Sequence, residues 1–352
     1  MVEGTILSYK PKVFVDTSNL TEEQWLEYRR HGIGGSDAAA VFGVSPFATA
    51  RDLYYDKLKI ATHEDPEDNW VQKRMGHLLE DLVAEIFHVR TGYQVYQIKK
   101  MFQHPEYPFM LADIDYFVTL PNGETAILEI KTTNHNAIEH WWKDGVEVVP
   151  VHYEIQGRHY MAVMNLNHVF YCCLYGNSEQ ETIIRHIERD LDYEEELIAI
   201  ESDFWNGHVQ KRIPPQYVED GDLILASVKN HYGNADPDAA AIELSLTGAE
   251  GAMRFLELQA EKSLLNEELK RIDNEMKRLQ GQITDEMGRC CTARYSLDDT
   301  DYTVTYNPVR KPGISKENLF RLQMQYPEIY EQFVTVSESR RFHIKKWVQL
   351  AA

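Results

Sequence analysis

The segment from Met110 to Thr133 constrains the chain more than any other. It reads MLADIDYFVT, then LPNGE, then TAILEIKTT. Two apolar runs joined by Pro121, Asn122 and Gly123 predict a β-hairpin. Side chains alternate along a strand, so Glu129 and Lys131 share one face while Leu128 and Ile130 share the other. With Asp115 in the first run, two carboxylates and an ammonium group meet at one end of a hairpin whose other surface is apolar.

Those groups suit metal-dependent cleavage of a phosphodiester. Mg²⁺ takes hard oxygen ligands, usually one or two carboxylates, water and a substrate phosphate oxygen. Asp115 and Glu129 would supply the carboxylates, and the ion would help generate hydroxide and neutralise charge building on phosphorus. Lys131 would hold the attacking water, deprotonate it, or stabilise the pentavalent centre; spacing leaves these three open. A solvated surface Glu–Lys pair is the competing reading of an isolated E-x-K. Asp113 shares a strand face with Asp115 and reads as an outer carboxylate or part of a second metal site.

Three further segments carry polar groups in apolar settings. Arg30 to Phe47 (RHGIGGSDAAAVFGVSPF) is a Gly-rich turn opening a helix at Ala38 to Phe42, with Ser36 or Asp37 as N-cap. Such a turn offers backbone N–H groups to a phosphate, though an ordinary capped helix reads the same way. Val71 to Arg90 has the apolar period of a helix, and Glu80 flanks its buried stripe. A carboxylate there needs a metal or a partner, Arg74 or His77 being the nearest. Ile155 to Val163 (IQGRHYMAV) is a helix carrying Gln156 one turn before Tyr160, with Arg158 and His159 as candidate DNA contacts or parts of a solvated face.

In this order, over roughly residues 25 to 175, the segments resemble the PD-(D/E)xK nuclease core. More specifically they resemble the YqaJ-type viral recombinases, the phage lambda exonuclease family. The resemblance implies an α/β fold: a restriction-endonuclease-like mixed central sheet flanked by helices. It implies catalytic roles for Asp115, Glu129, Lys131, Glu80 and Gln156. The metal shell would comprise Asp115, Glu129, Glu80 and the backbone carbonyl of Ile130. Arg30 and Ser36 would hold a 5′-phosphate, and Arg158 and Tyr160 would lie against DNA. Mg²⁺ is the implied cofactor, with Mn²⁺ as a substitute. The implied activity is 5′–3′ digestion of linear duplex DNA for phage-type recombination, with double-stranded DNA ends as substrate and a single-strand annealing protein as partner. A homo-oligomer, with a trimeric ring as its model form, is also implied. The rival readings are an endonuclease of the same superfamily and a catalytically silent DNA-binding module.

Composition bounds these readings. The 352 residues carry a net charge of −20, awkward for a DNA-binding protein, whose affinity comes largely from Lys and Arg. Position matters more than the sum, and the acid is grouped: Asp190 to Asp203 holds seven carboxylates and no Lys or Arg. Lys99, Lys100, Lys131 and Arg158 are candidate channel charges. Cysteines occur as adjacent pairs, Cys172-Cys173 and Cys290-Cys291, which suit neither a secreted disulfide framework nor the iron–sulfur branch of the superfamily. No iron–sulfur cluster is therefore expected. No run approaches the length of a membrane span and the N-terminal MVEGTI has no leader pattern, so a cytoplasmic protein without a membrane partner is expected.

The expected organisation is a nuclease domain over 1–230, a linker over 231–250, a long heptad helix over 251–288 and a small α+β region over 289–352. Leu265, Leu269, Ile272, Met276, Leu279 and Ile283 mark the heptad seam, which would pack on its own domain, pair with another subunit or hold a partner. Beyond it, Tyr302 to Tyr306 alternates like a strand and Glu317 to Gln325 reads as a helix. The tail from Arg340 to Trp347 mixes basic and aromatic residues, as an edge strand or a DNA contact would.

Overall fold

The computed structural model describes residues 9–62, 70–234, 236, 238–298, 300–308 and 313–334. They divide into two units, 1–234 and 235–352. The first unit opens with β1 (Lys12–Asp16), α1 (Glu22–Arg29), β2 (Ile33–Gly34), α2 (Gly35–Val41), α3 (Ala50–Lys57) and α4 (Trp70–Thr91). There follow β3 (Gln94–Tyr96), β4 (Lys100–Gln103), β5 (Met110–Asp113), β6 (Tyr116–Thr119), β7 (Thr125–Thr132), β8 (Trp142–Lys143) and β9 (Val146–Glu147). It closes with α5 (Val151–Met164), β10 (His168–Leu174), β11 (Thr182–Glu188), α6 (Leu191–Ser202) and α7 (Gly221–Tyr232).

The central sheet has the order β11-β10-β7-β6-β3. β10 runs parallel to β7 and the other pairs are antiparallel, so the sheet is mixed, as the fold class requires. β6 and β7 form the expected hairpin, with Tyr116 opposite Leu128 and Thr119 opposite Thr125. Its loop closes through Gly123 N donating to Leu120 O and Leu120 N donating to Glu124 O, both at 2.9 Å. Gly123 sits at φ +86°, the left-handed position a three-residue hairpin loop needs.

The first apolar run is not one strand. β5 belongs to a second sheet, β1-β4-β5-β2, and the chain crosses between sheets at Ile114 and Asp115. Continuing the β6–β7 register would set Ile114 opposite Ile130. There the Ile130 N–H donates instead to Oδ2 of Asp115, at 2.9 Å. A side chain replaces a ladder partner, and the strands part where the functional groups lie.

Helices cover both faces of the central sheet. Leu128, Ile130, Val118 and Cys172 pack with Val83 and Phe87 of α4. Ile127, Phe117, Val169 and Tyr171 pack with Ile155 and Val163 of α5. This double cover explains why β7 is buried continuously from Ala126 to Ile130. It also rules out the competing solvated surface Glu–Lys pair: Glu129 lies under α5 and is 2% exposed.

α5 crosses close to β10 at Gly157, where an added Cβ would fall 1.9 Å from the hydroxyl oxygen of Tyr171. Tyr171 is fully buried and donates to Tyr153 O at 2.8 Å, so its ring has nowhere to go. Gly157→Ala is expected to destabilise the protein by about 1–3 kcal/mol in urea unfolding, the usual cost of overpacking.

The first element of the second unit is α8 (Leu246–Met287), a 42-residue helix about 63 Å long at 1.5 Å per residue. Ser245 caps it, accepting from Gly248 N at 3.2 Å. Leu265, Leu269, Ile272, Met276, Leu279 and Ile283 are all exposed along it. β12 (Thr292–Leu297) and β13 (Thr300–Thr305) pair antiparallel, and α9 (Lys316–Gln325) and α10 (Pro327–Phe333) follow. The basic–aromatic stretch Arg340 to Trp347 lies outside the described residues.

Candidate active site

The parting of β6 from β7 opens a cleft of about 620 Å³. Asp113 reaches it from the end of β5, Asp115 from the crossing between sheets, Glu129 from β7, Glu80 and His77 from α4, and Gln156 and Tyr160 from α5. Trp25 and Arg29 of α1, Ser36 of α2 and Lys99 also line it. Residues distant in sequence thus converge on one hollow.

Glu129 and Gln156 of this lining form a closed hydrogen-bond triangle with Lys131. Lys131 Nζ donates to Glu129 Oε1 at 2.7 Å and to Gln156 Oε1 at 3.0 Å, and Gln156 Nε2 donates to Glu129 Oε1 at 2.5 Å. Gln156 Nε2 also reaches Tyr160 Oη at 3.3 Å. The Lys131 ammonium stands 4.6 Å from the centroid of the Tyr153 ring, a cation–π contact. The other glutamate oxygen, Oε2 of Glu129, is buried without a hydrogen-bond partner among the described residues.

The electrostatics are those of crowded, dry carboxylates. Burial pushes Asp115 well above the ordinary carboxylate range, and Glu129 pushes it further. Burial likewise raises Glu129 against the opposing pull of Lys131. Glu80 raises both. Burial alone would lower Lys131, but Glu129 and Asp115 outweigh it and hold the ammonium above its usual value. Asp113 is raised by burial, although Trp25 Nε1 donates to its Oδ2 at 2.5 Å. An unpaired buried carboxylate oxygen beside a second raised carboxylate is a costly arrangement that a divalent cation would relieve. The all-oxygen donor set of Asp115, Glu129 and Glu80 fits a hard ion such as Mg²⁺.

Neither Ser36 nor Asp37 is the cap: α2 starts at Gly35, earlier than the expected Ala38, and Gly34 is its cap, so Ser36 and Asp37 lie two and three positions past it in the first turn. Asp37 reaches back to accept from Gly34 N at 3.0 Å and also joins two cations: Arg29 Nη2 at 2.5 Å and Lys57 Nζ at 2.7 Å. Despite burial, those charges hold its carboxyl at about 2. Arg29 Nη2 donates to Ser36 Oγ as well, at 2.8 Å, and both residues line the cleft.

Other expected contacts lie elsewhere. Arg30 turns away from the cleft and binds Asp56 at 3.0 Å and Glu27 at 3.5 Å. Arg158 grips Glu154 on its own helix through Nε at 2.9 Å and Nη2 at 2.6 Å, and lies over the Tyr193 ring. His159 is fully buried, its Nδ1 2.8 Å from Glu201 Oε1 and its Nε2 2.8 Å from Leu111 O. It ties α5 to α6 and β5 and is shut off from any DNA. His77 supplies the partner expected for Glu80, with Nδ1 2.9 Å from Oε1. Sequence reading missed Arg29 and Trp25 as cleft residues. Consecutive helical residues point about 100° apart, so Arg29-Arg30 signals one inward arginine without saying which.

Residues 24–167 match the model of the YqaJ-like viral recombinase domain. The chain is 30% identical over 342 residues to the YqaJ protein of Bacillus subtilis (strain 168), an alignment spanning 96% of this chain and 99% of that protein. Among solved structures, an alkaline exonuclease (LHK-Exo) from Laribacter hongkongensis aligns with a TM-score of 0.42 at 19% identity, covering 59% of this chain and 98% of that one. A phage-related exonuclease from Haemophilus somnus 129PT aligns with a TM-score of 0.37 at 13% identity, covering 51% of this chain and 96% of that one.

Proposed function

Because the chain belongs to the YqaJ-like viral recombinase family, we propose that it is a Mg²⁺-dependent exonuclease that digests one strand of linear duplex DNA from the 5′ end. The single strand so exposed would feed phage-type homologous recombination in the bacterial cytoplasm, with an annealing protein receiving it. One observation carries the reading: Asp115, Glu129 and Glu80 line one cleft, in which Glu129 keeps a buried, unpartnered carboxylate oxygen and binds the Lys131 ammonium.

Asp115, Glu129, Glu80 and the Ile130 carbonyl would hold a divalent ion, which would supply Lewis acidity at the scissile phosphate. Lys131 keeps its proton, since both facing carboxylates favour the charged form. That favours electrostatic stabilisation of the phosphorane, or a hydrogen bond to the attacking water, over a role as base. Gln156 fixes the distance between Lys131 and Glu129 by bonding to both. We place the 5′-phosphate contact at Arg29 and Ser36, in place of Arg30, because the first two line the cleft and bond to each other. A ring of subunits around DNA would let a chain of net charge −20 present a locally basic channel.

The test is digestion of linear duplex with Mg²⁺, comparing 5′-phosphate with 5′-hydroxyl ends and including a covalently closed circle. Loss of the linear form alone, faster with 5′-phosphate and stopped by chelation, is the expected result. Arg29→Ala should cut the preference for 5′-phosphate about tenfold, the worth of a charged hydrogen bond. Cutting of the circle would mean an endonuclease, and no cutting with any divalent ion would mean a binding role.

A further inference from the structure

A second cluster of ligating side chains lies at the opposite end of β7 from the cleft, where β10 begins and β11 ends. His168 pairs across the ladder with Glu188, and His186 pairs with Phe170. The side chains of His168, His186 and Glu188 each bring one ligand atom within 4.8 Å of the others. Nδ1 of His168 and Nε2 of His186 are 3.1 Å apart. Two nitrogens bound to one tetrahedral zinc at about 2.05 Å stand roughly 3.3 Å apart, so these rings are already close to that separation.

The surroundings favour binding. Nε2 of His168 lies 3.5 Å from Glu124 Oε2, in the turn of the β6–β7 hairpin. A carboxylate there draws the proton to Nε2 and turns an unprotonated Nδ1 toward His186 Nε2, which it accepts from when no metal is bound; this is the tautomer found in metal-bound histidines. The His186 ring is stacked on Phe170 with centroids 4.4 Å apart, which fixes its direction. Glu188 adds an oxygen ligand, and solvent reaches the fourth position because His186 and Glu188 are exposed.

We propose that His168, His186 and Glu188 form a zinc(II) site that clips β10 to β11, with Glu124 orienting His168. Two imidazoles and one carboxylate favour a borderline transition ion, whereas the oxygen-only cleft favours a hard one. The site therefore stands apart from catalysis in both position and metal preference. An ion that binds the folded strands and not the unfolded chain raises thermal stability.

The experiment is calorimetric titration of Zn²⁺ into the full chain with Mg²⁺ in large excess, in a Cys290→Ser/Cys291→Ser background that removes the exposed thiols. One equivalent should bind, and Tm should rise with Zn²⁺. His168→Ala and His186→Ala should each weaken binding by more than about 100-fold, and Glu124→Gln by about 10-fold, as losing an outer carboxylate partner does. All three should match the parent Tm without zinc, which separates loss of the site from loss of the fold. Absence of zinc uptake, or equal affinity in the parent and a His168→Ala/His186→Ala protein, would overturn the proposal.

Discussion

Lys131→Met is expected to lower the rate of duplex digestion by about 10²–10³-fold while leaving the protein folded. That is the usual consequence of removing one preorganised charge donor from a dry site, about 3–4 kcal/mol of barrier. Methionine keeps the unbranched stem against Tyr153, so packing changes little. Glu129 retains the Gln156 amide at 2.5 Å, and without the ammonium it takes up a proton more readily. The loss should therefore appear in turnover at saturating Mg²⁺ and in neither secondary structure nor DNA-end binding. A variant that keeps a rate within about threefold of the parent would remove Lys131 from the chemistry.

Asp37→Ala should cause the largest loss of stability, about 3–5 kcal/mol by urea unfolding. The side chain of Lys57 is 1% exposed and its ammonium bonds Asp37 at 2.7 Å. Removing the carboxylate strands that charge in the interior, together with the Gly34 N–H and one arm of Arg29. Set against a typical total of about 5–15 kcal/mol, such a loss brings the domain near unfolding. The same group predicts acid sensitivity. Its folded value of about 2 lies below the ordinary 3.8, so the ionised form is the one the fold favours. The stabilisation is complete above about pH 4 and is lost as pH falls through about 2. Asp37→Asn keeps an acceptor for Gly34 and should fall between the parent and Asp37→Ala. A cost below about 1 kcal/mol for Asp37→Ala would show that Lys57 and Arg29 find other partners.

Much of the site could be read one strand at a time. The Pro-Asn-Gly loop required a left-handed residue, and Gly123 fills it. Alternation in β7 put Glu129 and Lys131 on one face, where they meet Gln156. Periodicity placed Glu80 beside the buried stripe of α4, and it lines the cleft. These readings succeeded because each depends only on the local backbone period. Readings that depended on direction around a helix fared differently. Arg30 and Arg158 are committed to Asp56, Glu27 and Glu154 on their own side of the fold, and His159 is sealed against Glu201. One turn of register separates a cleft residue from a structural one, and nothing local records which neighbour a helix will face.

The amino-acid sequence by itself determined the hairpin, the helices, the mixed α/β class and the pairing of acidic with basic residues along β7. Those follow from dihedral preference and from the need to bury one face of each element. Only the tertiary structure decided that the strand through Asp115 breaks between two sheets, that α5 closes over Glu129 and raises its proton affinity, and that Arg29 is the arginine at the cleft. Burial and proximity between residues far apart in the chain set those outcomes. They emerge only once α1, α4, α5 and β7 share one core.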